Sequence, residues 1–66
     1  MTNSDMQEAV NQGMQGDAAS ELGDFASAAT HYGEAAGLYR KLGDDKGAAR
    51  TRDLQAELAR QLAGQN

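Results

Sequence analysis

The chain has 66 residues and a net charge of −4, which fits one small domain and disfavours general nucleic-acid binding, a task that depends on Lys and Arg neutralising phosphates. Thirteen alanines supply half of its 39% hydrophobic content, so the core is thin and a second copy or a partner would add burial. It lacks cysteine, no run is long enough to span a membrane and no secretion signal opens it, so a cytoplasmic protein is expected.

In chain order, Met1 to Asn3 is patternless and expected to fray. Ser4 with Gln7, or Asp5 with Glu8, fits a capping box that starts a first helix over about 5–22. Met6, Val10, Met14, Ala18 and Leu22 then recur every four residues, a stripe that winds across the helix face. Gly23-Asp24 makes a connection so short that the next helix must return antiparallel.

The second helix, about 25–42, is the strongest element. Ala28, Ala29, Tyr32, Ala35, Ala36, Tyr39 and Leu42 follow Phe25 at helical spacing, Asp24 is placed to cap the start, and Gly43 suits a left-handed C-terminal cap. Beside the aromatic stripe runs a strip of small residues, Ala26, Thr30, Gly33 and Gly37. Each interior glycine costs about 1 kcal/mol relative to alanine. Either another helix approaches the strip closely, which makes it a candidate interface, or these are tolerated surface glycines.

Asp44 or Asp45 caps a third helix over about 45–63, whose apolar face is Ala48, Thr51, Leu54, Leu58 and Leu62. Arg50–Asp53 and Glu57–Arg60 are spaced to pair on its other side. Gln65-Asn66 reads as a polar tail. The expected fold is all-α, with three antiparallel-linked helices.

The chemistry-bearing residues are few. His31 stands alone, without the second ligand or base that metal binding or nucleophilic catalysis needs, so a solvated or locally hydrogen-bonded role is expected. Tyr32 and Tyr39, seven apart on one face, pack the core or line a ligand groove. No phosphate loop, paired catalytic carboxylates or metal cluster is apparent, so neither an enzyme nor a cofactor is expected. Acids crowd the first helix while Lys46, Arg50 and Arg52 gather near the start of the third. That separation either aligns copies of the chain or is simply a solvated surface.

Gly23-Asp24-Phe25, Ala28, Tyr32 and Ala35, with Gly16 as the small residue of the first helix that lets the second approach closely, resemble the tetratricopeptide repeat, a 34-residue helix–turn–helix unit. The likeness runs from about Ala9 to Arg50. The family's large first-helix positions are Gln12, Gln15 and Ala19 here, and Arg52 to Ala56 lacks the expected leucine–glycine pair. The third helix therefore resembles a terminal cap. A microtubule-interacting-and-transport-like or other three-helix bundle shares this pattern. What the resemblance implies is a non-catalytic scaffold that binds a protein or peptide along a groove, here Gln12, Gln15 and Ala19 facing Tyr32 and Tyr39. The acidic first helix points to a basic partner. A single repeat is short, so self-association is expected as well. The alternative is an accessory subunit of an enzyme system, with a small ligand between the tyrosines and the first helix.

Overall fold

The structure, a computed structural model, describes residues 4–64. The expected frayed start, Met1 to Asn3, and the polar tail, Gln65-Asn66, lie outside the described residues. Three helices follow in order: α1 (Ser4–Glu21), α2 (Phe25–Lys41) and α3 (Asp45–Gly64). The expected boundaries hold to within a residue at each end.

Two turns of the same construction separate the helices, each spelled Leu-Gly-Asp. At the first, Gly23 has φ 82° and donates to Ser20 O, while Asp24 N–H donates to Ala19 O at 2.9 Å. At the second, Gly43 has φ 78° and donates to Arg40 O, while Asp44 N–H donates to Tyr39 O at 2.8 Å. Both are left-handed caps that satisfy the last free carbonyls, and both need a residue without Cβ. The aspartate that follows caps the next helix: Asp24 Oδ1 accepts from Ser27 N–H, and Asp44 Oδ1 from Gly47 N–H at 3.0 Å.

Contacts run in opposite order along neighbouring helices. Asp5 meets Lys41 and Gln12 meets His31; further on, Tyr39 lies over Gly47, Gly33 under Gln55, and Ala28 beside Leu58. Each helix is thus antiparallel to the next. α2 packs on both others, whereas α1 and α3 scarcely touch. The result is a flat plate, 46 × 19 × 12 Å, with α2 as its spine.

The core is as thin as the composition implies. Ala28, Tyr32 and Leu58 form its centre, with Ala19, Phe25 and Ala29 around them. Among the described residues no large side chain is completely buried. α1 buries Ala9 and Gly16, the latter where the tetratricopeptide likeness expects a close approach, while the winding stripe of Met6, Val10 and Met14 stays exposed, as does Leu22 just past the helix end. The cause is steric. At Gly16 an added Cβ would lie 2.8 Å from the Tyr32 ring, so α1 turns its smallest residues toward α2 to let the helices approach. Its large residues then face elsewhere.

Candidate functional site

Because α1 and α3 both lean on α2 and scarcely touch each other, a groove of about 350 Å³ opens between them. Tyr32 and Tyr39 line it from α2, Val10 and Met14 from α1, and Arg50 and Leu54 from α3. Each tyrosine ring is seated on a glycine of a flanking helix: Tyr32 on Gly16, and Tyr39 on Gly47, where a Cβ would lie 2.9 Å from the ring. The two glycines let α1 and α3 close onto the same spine, and so set the groove's shape.

The groove's lining mixes polar and apolar surface in about equal parts. Met14 is 62% exposed, Val10 43% and Leu54 37%, so three large apolar side chains stand open to water along one cleft. Asp17 and Asp44 add carboxylates and Arg50 a guanidinium. The Tyr32 hydroxyl donates to Asp17 across the α1–α2 seam. Burial above all, then the bond to Asp17 and the negative charge of Asp17 and Glu21, pushes that hydroxyl from 10.0 up to about 12. It is therefore a neutral donor at any ordinary pH.

Of the groove residues expected from sequence, Tyr32 and Tyr39 lie in it and Gln12, Gln15 and Ala19 do not. Gln12 Oε1 is 2.7 Å from His31 Nδ1, a pairing in which the ring N–H donates. Ala19 packs against the core, and Gln15 is exposed. The residues sequence reasoning passed over are Val10, Met14, Asp17, Arg50 and Leu54. The signal for two of them was the stripe spaced by four in α1, once Gly16 fixes which side of that helix meets α2.

The small-residue strip has two fates. Gly33 is covered within the chain: Gln55 crosses it to donate to Ala29 O at 3.2 Å, and a Cβ there would come 2.7 Å from Gln55 Nε2. Ala26, Thr30 and Gly37 are exposed, and nothing lies within 4 Å of a Cβ built at Gly37. Thr30 turns its hydroxyl back to Ala26 O. The strip is not beside the aromatic stripe as expected: on the helical wheel it sits about 140° from the two tyrosines, so it and the groove belong to different sides of the plate.

Among the described residues no group of His, Asp or Glu is placed to hold a metal ion. No helix among them is long and apolar enough to cross a membrane. No family model, curated protein or solved structure matches the chain.

Proposed function

We propose that the chain is a small, non-catalytic protein-interaction module that holds an amphipathic segment of a partner in the groove between α1 and α3. The observation that carries this is the exposure of Val10, Met14 and Leu54 along one cleft floored by tyrosines, in a chain with too little core to spare them. Tyrosine supplies contact area at low entropic cost and a hydroxyl at its tip. Two carboxylates against one guanidinium at the edges, beside an α1 that carries four acids and no base, favour a segment with positive charge. The resemblance of the α1–α2 hairpin to a tetratricopeptide repeat supports the same role.

The test is an amide NMR titration with a synthetic basic amphipathic helix of leucine, lysine and alanine, followed by its acidic counterpart. Saturable shifts centred on Val10, Met14, Tyr39 and Leu54, seen with the basic peptide and lost in Met14→Glu, are expected. Shifts centred on Ala26, Thr30 and Gly37 would move the site to the other side of α2. The groove's concavity, with Asp17, Asp44 and Arg50 at its edges, also favours a second reading as a small-ligand accessory subunit. Saturation of the same amides by a small cationic aromatic compound, with no response to the peptides, would select it.

A further inference from the structure

We infer that the grooved face is covered by the grooved face of a second copy, in a two-fold dimer that sets α1 of each chain over α3 of the other. This deepens the interaction-module reading and rests on it.

Three features point to a second copy. The first is surface: the chain exposes 4547 Å², where a compact monomer of 6.9 kDa exposes about 4000 Å². A standard interface hides about 800 Å² per partner, roughly a sixth of that surface. The second is placement. Val10 and Met14 on α1 and Leu54 on α3 lie on one face, so a single two-fold operation covers all three in both copies.

The third is charge, and it fixes which helices meet. α1 carries Asp5, Glu8, Asp17 and Glu21 with no basic residue. α3 carries Lys46, Arg50, Arg52 and Arg60 against three acids. Stacking α1 on its own mate would set its two groove-side acids, Asp17 and Glu21, against the same two. Running the two-fold axis along the groove instead places each α1 over the other copy's α3, so that Asp17 and Glu21 face the side of α3 that carries Arg50 and Lys46. In that arrangement Arg50, which forms no ion pair among the described residues, meets carboxylates of the other copy's α1.

The experiment is sedimentation equilibrium of the full chain over a wide concentration range, at low and high salt. It is repeated on Met14→Glu, Arg50→Glu and Gly37→Leu, with circular dichroism to confirm that each is folded. A native dimer is expected, weakened about tenfold or more in Met14→Glu and Arg50→Glu, weakened by salt, and unchanged in Gly37→Leu. A native chain that is monomeric throughout overturns the inference. The interaction-module reading then stands or falls separately on the NMR titration. A dimer indifferent to Met14→Glu and to salt but lost in Gly37→Leu overturns it too, and transfers the interface to the strip on α2.

Discussion

The two seams of the plate are built to one plan and filled differently. Each follows a Leu-Gly-Asp turn, and each seats a tyrosine of α2 on a glycine of the flanking helix. The α2–α3 seam adds large and mid-sized side chains, burying Ala48, Thr51 and Leu58. The α1–α2 seam buries only Ala9 and Gly16 from α1, and leans on polar bonds: Gln12 to His31, Tyr32 to Asp17, and the exposed pair Lys41–Asp5. Apolar area stabilises without regard to direction, whereas a partly solvated hydrogen bond contributes only about 1 kcal/mol net. α3 is therefore the fixed arm and α1 the loosely held one, and the groove lies between a firm wall and a soft one.

The largest test of that contrast is Leu58→Ala. Leu58 is 5% exposed and shares its cluster with Ala28 and Tyr32. Truncating a buried leucine costs about 2–5 kcal/mol, and a chain of this size commands only about 3–10 kcal/mol in total. Urea denaturation should show most of the stability gone, with α1 lost along with α3 because Tyr32 serves both seams. A loss below about 1 kcal/mol would mean that the α3 seam is held by something other than its leucine.

Next in size is Gly16→Ala. A Cβ at Gly16 would lie 2.8 Å from two carbons of a ring that is itself only 4% exposed and tied to Asp17. Overpacking of this kind costs about 1–3 kcal/mol, more than the roughly 1 kcal/mol that alanine adds to a helix. A net destabilisation of up to about 2 kcal/mol is expected by thermal and urea denaturation, from these two opposing effects. A stabilised Gly16→Ala would show that α1 does not approach α2 as closely as described.

Those two sites also mark how far sequence carries. Helices and turns were legible because each is local: apolar spacing, a capping aspartate and a glycine at the left-handed position all sit within a few residues. The side of α1 that is buried was legible only through the tetratricopeptide likeness, which put Gly16 where the second helix approaches closely, and not from the apolar pattern of α1 itself. Its every-fourth stripe names Met6, Val10 and Met14, the larger residues, and size alone would put them inside. The structure buries Ala9 and Gly16 instead, because a wide tyrosine on α2 needs a residue without a side chain opposite it. That is a relation between residues sixteen apart in the chain, Gly16 and Tyr32, and no window on one helix contains it. The same reason hid half of the candidate groove: once α1 is turned over, Gln12 goes to His31, Ala19 goes to the core, and the exposed stripe becomes a wall.

Tyr32→Phe probes the polar half of the α1 seam and should cost about 1 kcal/mol at neutral pH, the worth of one such bond. Its signature is alkaline. The native hydroxyl sits at about 12 against an ordinary 10.0, so the folded chain holds this proton more tightly than the unfolded one. Its contribution is then complete below about pH 10 and is lost as pH rises through about 12. Denaturation curves over that range should show the native chain falling toward Tyr32→Phe, which lacks the titrating group. Parallel curves for the two chains would mean that the hydroxyl contributes nothing to the seam.

The smallest effect is opposite in sign. Gly37 is a helical glycine of α2, exposed, with nothing within 4 Å of the Cβ it lacks. Alanine there meets no neighbour and narrows the freedom of the unfolded chain, so Gly37→Ala should stabilise by about 0.5–1 kcal/mol. Gly16→Ala and Gly37→Ala are the same chemical change in neighbouring helices, and helix propensity alone predicts the same gain for both. Opposite signs in parallel urea titrations would isolate what the fold adds: a ring over one glycine and open water over the other. If both variants gain, close approach does not define the α1 seam, and the groove it bounds would have to be wider than the structure describes.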